Sequence, residues 1–190
     1  GYGLIDVREA INMNYFKGSR LVVSPHSYSA TGGHGDLSQF LNRNSKVSEV
    51  LRSPSVGTGV DYFVQATRND IKYGADFIKI IVSGGFSTPN DTPYEQQLND
   101  SELIGIISTA KERNIPVTAH AYTAKIIKRL ISYGVSGIEH GSFIDDETAE
   151  LMVKNDVYLV PTFSPFDSIL NLHQDELLKV PRGFREKLLI

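Results

Sequence analysis

The chain has 190 residues, 41% of them hydrophobic, with 19 Lys and Arg against 22 Asp and Glu and neither Cys nor Trp. That length suits one domain able to bury a core without staples, and the absence of Cys excludes disulfides, thiolate metal sites and thiol nucleophiles. A formal charge of −3 gives no electrostatic basis for binding nucleic acid or an anionic membrane surface, and no apolar run nears the ~20 residues that span a bilayer.

In chain order, residues 2–7 read as a weak strand and 8–15 as a short helix. Residues 21–24 (LVVS) read as a second strand. The stretch 24–59 is polar and reads as an active-face loop with a short helix near 37–41. Residues 61–73 have helical spacing and lead into 75–82 (ADFIKIIV), a near-continuous apolar run of the kind found in strands buried on both faces. A helix is expected over 99–113, with Asn99 and Glu102 as a capping pair. Residues 115–119 form the next strand. The helix 123–133 follows, closed by Gly134. A strand at 135–139, a helix at 146–154 and a strand at 157–161 complete the series.

Ala119, Glu139 and Val160 end successive apolar runs about twenty residues apart, the length of one strand plus one helix. About six such units fit an incomplete TIM-like (β/α)8 barrel of the α/β class. A doubly wound dinucleotide-binding sheet is the rival, but no G-x-G-x-x-G stands at a strand–helix junction. The chain is expected to form one partial barrel domain over 1–190. It opens on Gly1 rather than Met and closes at Ile190 inside an amphipathic stretch (Phe184, Leu188, Leu189), so it is expected to be a piece of something longer. No basic-then-apolar leader is present, and the expected location is cytoplasmic.

In a parallel barrel the functional groups collect at the C-terminal ends of strands. Three polar residues stand there: Lys79 in FIKI, His120 in PVTAHA and His140 in GIEHG. An ammonium within an apolar strand needs a partner or chemical alteration. Lys79 shares a strand face with Phe77 and Ile81. It can react with CO2 to give an anionic carbamate ligand, form a Schiff base with a carbonyl substrate, or pair with a nearby carboxylate. His120 and His140 end strands of consecutive units, and neighbouring strands lie ~4.8 Å apart, so both imidazoles can share one metal ion. Read singly, each is a satisfied structural histidine.

GADFIKI, VTAHAY, GIEHG and the loop TGGHGD (31–36) together resemble the amidohydrolase superfamily. The likeness is strongest to its metal-dependent carboxypeptidase and prolidase-like branch, related to imidazolonepropionase, and it runs from Gly1 to Val160 or beyond. It implies a (β/α)8 barrel with one or two divalent metals, usually zinc. Lys79 would be the carboxylated lysine of strand four, and His120 and His140 the ligands of strands five and six. Residues 2–7 would be strand two and 21–24 strand three. The family's strand-one H-x-H is absent from this sequence, and its strand-eight Asp cannot be placed. The implied reaction is hydrolysis of amide bonds by metal-activated water, on Xaa-Pro or basic-residue dipeptides or N-acyl amino acids. The 190 residues alone are expected to be inactive or nearly so.

Within the resemblance, Tyr122 is similar to a residue that binds a substrate carboxylate, and His34 to a substrate-facing group; the bland readings are a rim tyrosine and a solvated loop histidine. Gly32, Gly33, Gly84 and Gly85 permit either close approach to a ligand or tight turns. His26 has no assigned role, His173 reads as surface, and Glu139 should face away from His140 and serve in a structural pairing.

Two other functions compete. A Schiff-base aldolase would use Lys79 as its amine and 83–85 as a phosphate cradle, but Lys125 and Lys128, the candidate second lysines, fall on a helix. A barrel remnant serving as a binding module is the other; raw edges at strands two and seven would favour homo-oligomers or strand exchange.

Overall fold

The computed structural model describes residues 1–40, 53–172, 176, 179–180 and 185–187. Its centre is a six-stranded, all-parallel sheet. The strands are β1 (Ser27–Ala30), β2 (Val56–Gly57), β3 (Ile78–Ile81), β4 (Val117–Thr123), β5 (Gly137–Phe143) and β6 (Tyr158–Val160). Their spatial order is β2-β1-β3-β4-β5-β6. Helices α1 (Gly3–Asn12), α2 (Val60–Lys72), α3 (Asp100–Lys111), α4 (Ala124–Tyr133), α5 (Asp146–Lys154) and α6 (Phe163–Leu170) alternate with the strands from β2 onward, and a 3-10 turn covers Leu37–Phe40. No helix among the described residues is long and apolar enough to cross a membrane.

The two faces of the sheet differ. Ile78, Ile80, Val117, Ala119, Ala121 and Ile138 lie toward the helices and are almost wholly buried with Phe63, Leu103, Ile106, Ile127 and Leu130. Each Ile, Leu, Val or Phe side chain among them contributes about 1.5–3 kcal/mol by leaving water. The residues between them, Lys79, Ile81, Thr118, His120 and Tyr122, face the other way. Register carries this across the sheet, because Lys79 pairs with Thr118, Ile81 with His120 and His120 with Glu139.

Local signals set the helix ends. Asn99 accepts from the amide of Glu102, and the Glu102 carboxylate accepts from the amide of Asn99, which closes the expected capping box. Gly134 ends α4 in the left-handed conformation. Asp145 caps α5 through the amide of Thr148.

The N-terminal expectations need correction. Residues 2–7 are not a strand but the start of α1, which buries Ile5 and sends Arg8 to Asp76 at 2.5 Å. Residues 21–24 run extended without joining the ladder. The amide of Asp76 donates to the Val23 carbonyl, and the Asp76 carboxylate accepts from the Val23 amide, so a side chain takes the position a strand partner would hold. The strand beside β3 is 27–30 (SYSA), with Tyr28 and Ser29 buried. The count of six is kept because β2 replaces the expected first strand. The outer strands are therefore β2 and β6, not a strand at 2–7. Helix α6 was not foreseen, Leu41 and the stretch Phe184, Leu188 and Leu189 lie outside the described residues, and so does His173.

Asp70 on α2 is 2% exposed and pins the N-terminal segment. It accepts from the hydroxyls of Tyr2 (3.0 Å) and Tyr28 (2.8 Å), and His26 Nδ1 lies 2.8 Å from it. His26 is thus a structural histidine.

Candidate active site

The inward face of β3–β5 gathers the polar residues picked out in the sequence. His120, 6% exposed, lies between two other imidazoles, with ring centroids 4.9 Å from His34 and 4.5 Å from His140. Tyr122 stacks on His140 at 4.9 Å, nearly parallel, and meets Phe86 edge-on. His34, Phe86, His120, Tyr122, His140 and Phe166 line a cavity of about 240 Å³. A larger polar hollow bordered by Gln96, Asp100, Lys125 and Arg129 contains none of these groups.

Lys79 contacts the Glu139 carboxylate, although its buried Nζ makes no hydrogen bond of good geometry. Burial pushes the Lys79 pKa down, against the pull of Glu139. Glu139 was expected to face away from His140. It faces the same side, because His140 adopts φ 77° and Gly141 φ 61°, and the β4–β5 register shifts just beyond. This local break cancels strand alternation, so consecutive side chains point inward. The pairing role expected of Glu139 is present, with Lys79 as partner.

Among the described residues, no group of three or more His, Cys, Asp or Glu is arranged to hold a metal ion. The donors present nevertheless suit one. His120 Nε2 lies 3.2 Å from the carbonyl of Gly84, which can only accept, so the neutral ring carries its proton on Nε2 and keeps a lone pair on Nδ1. His140 Nδ1 bonds Thr162 Oγ1 at 2.5 Å. Burial, with help from the neighbouring imidazoles and Lys79, pushes His120 far below its usual pKa. Burial first and Lys79 second push His140 down to about 4. Both rings are neutral at pH 7. Burial, by lowering the Lys79 pKa, raises the share of free amine, the form that can capture CO2. A carbamate there would stand beside the Glu139 carboxylate, an arrangement that calls for a cation.

His34 is held rather than solvated. Its Nδ1 lies 2.7 Å from Thr88 Oγ1 and 3.1 Å from Asp91 Oδ2. The glycines serve the protein more than a ligand. A Cβ at Gly85 would strike the His34 ring, and one at Gly84 would strike the Thr92 backbone. The phosphate cradle of the aldolase reading is absent, because the amides of 83–85 are committed to His120 O, Glu95 O and Asp91 Oδ1. Lys128 pairs with Asp145 and Glu147 on the surface. Asp91 and Lys187 were not foreseen. Both are buried, and they come from a loop and from a segment far along the chain that no local pattern ties to the site.

Parallel strands alternating with helices, with polar side chains gathered at one end of the sheet, define part of a TIM-like (β/α)8 barrel. The chain belongs to the amidohydrolase family, which matches residues 3–182. Ochratoxinase of Aspergillus niger is 31% identical over 189 residues, covering 94% of this chain and 39% of that protein. Its crystal structure superposes with a TM-score of 0.82 at 29% identity, over 100% of this chain and 44% of that one. A Xaa-Pro dipeptidase with bound methionine in the active site superposes at 0.79 with 32% identity, over 97% and 45%. A prolidase complexed with N-methylphosphonate-L-proline gives 0.80 and 31%, over 97% and 45%. The chain thus spans about two fifths of the length of ochratoxinase.

Proposed function

We propose that the protein of which this chain is part is an enzyme that hydrolyses amide bonds in small substrates bearing a free carboxylate, namely Xaa-Pro or basic-residue dipeptides or N-acyl amino acids. The observation that carries this reading is the convergence of His120, His140 and Lys79 on one inward face, with two imidazoles kept neutral by burial. The likeness to prolidase and dipeptidase structures supports this choice of substrate class, and the aromatic cavity suits a small ligand.

A divalent metal, zinc by the preference of imidazole and carboxylate-type donors, would be held by carboxylated Lys79, His120 and His140. When bound, such an ion supplies a water acidified toward neutral pH and a Lewis acid for the carbonyl. The remaining work falls to this chain's own groups. Gly84 O and Thr162 Oγ1 hold the two imidazoles in orientation. Tyr122, whose pKa burial raises, stays protonated and donates its hydroxyl hydrogen to a substrate carboxylate. His34 meets the polar part of the substrate, and Phe86 and Phe166 exclude bulk water.

The test is metal analysis of the full-length protein together with hydrolysis of a panel of Xaa-Pro dipeptides, basic-residue dipeptides and N-acyl amino acids. Bound zinc and turnover that a chelator abolishes are expected. Turnover that survives complete metal removal would overturn the reading.

A further inference from the structure

We propose that Asp91, anchored by Lys187, is a positioning residue that holds His34 with its proton on Nδ1 and aims the Nε2 lone pair into the cavity beside His120. The proposal rests on the reading of His34 as substrate-facing and adds the device that orients it.

Every oxygen of Asp91 is engaged. Oδ1 accepts from the Lys187 ammonium at 2.9 Å and the Gly85 amide at 3.3 Å. Oδ2 faces His34 Nδ1 at 3.1 Å and accepts from Gln97 Nε2 at 3.3 Å. Lys187 is 7% exposed and also donates to the carbonyls of Gly85, at 2.8 Å, and Thr88. A buried ammonium so placed requires a carboxylate rather than a carboxylic acid opposite it. Burial works against ionisation of Asp91, but hydrogen bonds from Thr88, Lys187 and Gly85 outweigh it and lower its pKa.

An ionised carboxylate can only accept. Asp91 Oδ2, 3.1 Å from His34 Nδ1, is then an acceptor that a hydrogen on Nδ1 satisfies, and Thr88 Oγ1 at 2.7 Å can accept that same hydrogen. Nε2 is then an acceptor, and Ser87 Oγ lies 3.5 Å from it. The ligand group that meets His34 in this state is an N–H or O–H donor. The pattern is that of a base oriented by a third group, with the orienting charge supplied from the segment 185–187.

The experiment is a long-range 1H–15N correlation spectrum of the imidazoles in the full-length protein at neutral pH. His34 is expected to show Nδ1 protonated and Nε2 bare. In Asp91→Asn the amide can donate to Nδ1, and the proton is expected to move to Nε2. Thr88→Val should leave the tautomer unchanged. A parent protein with His34 protonated on Nε2 overturns the proposal even if Asp91→Asn does not fold. So does an Asp91→Asn protein with the parent tautomer. Kinetics of His34→Gln on the best substrate of the panel test the other half: unchanged kcat/KM would remove the substrate-facing reading, and with it the role, while leaving the tautomer assignment intact.

Discussion

Glu139 and His140 are consecutive residues of β5, yet both side chains serve the inward side of the sheet: Glu139 meets Lys79, and the His140 ring lies 4.5 Å from that of His120. The left-handed backbone at His140 makes this possible. A β-region residue there would send one of the two side chains toward the helices.

The first prediction concerns that pair of imidazoles. His120→Asn and His140→Asn in the full-length protein are each expected to lower zinc affinity by about 10- to 100-fold or more, since even residues that only orient ligands have effects of that size. Equilibrium dialysis with metal analysis measures it. Affinity retained in both variants would remove them from the ligand set.

Lys79 is expected to carry a carbamate. Supplying 13C-bicarbonate should produce a carbonyl resonance in the folded protein that is missing from Lys79→Met. The lowered pKa of Lys79, set by burial, increases the free amine that reacts with CO2 at neutral pH.

Stability of the metal-free protein should fall as pH drops. His140 has a folded pKa of about 4 against an ordinary 6.5, so the unfolded chain binds its proton first. Its contribution is whole above about pH 6.5 and is lost progressively as pH falls toward 4. The urea midpoint is expected to decrease between pH 7 and pH 5, and to decrease less in His140→Gln. An equal slope in that variant would assign the effect elsewhere.

Asp70→Ala should destabilise the fold by about 3 kcal/mol, because the buried Tyr28 hydroxyl loses its acceptor and Tyr2 and His26 lose theirs. Chemical denaturation gives the value. Catalytic groups are untouched by this change, so metal affinity of the folded fraction should be preserved.

The isolated 190-residue chain is expected to self-associate and to show little or no turnover. Strand β6 is one of the two outer strands of the described sheet, and Tyr158, Leu159 and Val160 are each more than a third exposed. Such an edge recruits another strand. Light scattering should show oligomers that Leu159→Lys reduces. A clean monomer at high concentration would count against edge pairing.

Much of this was legible before any coordinates. The apolar run around Ile78, the capping pair Asn99 and Glu102, and the Gly134 stop are local signals, and local physics reads them correctly. Lys79, His120 and His140 could be singled out because each interrupts an apolar strand near its end. The strands before residue 60 were misplaced for the same reason, while the short helix near 37–41 is present at Leu37–Phe40. YGLIDV suits a short strand or an amphipathic turn equally well, and SYSA is too polar to announce a buried strand. Burial of Ser29 comes from its neighbours in space.

The order of strands and helices from β3 to β6, and the identity of the polar residues at the strand ends, were determined by the sequence alone, because hydrophobic period and helix caps act within a few residues. The tertiary structure decided the rest of the site. Asp91 reaches His34 across 57 residues and Lys187 across 96. His140 joins Glu139 on the inward side only because the backbone at His140 and Gly141 leaves the extended conformation. These contacts join segments far apart in the chain, which no local pattern pairs, and it is burial away from water that gives each ion pair and hydrogen bond its strength.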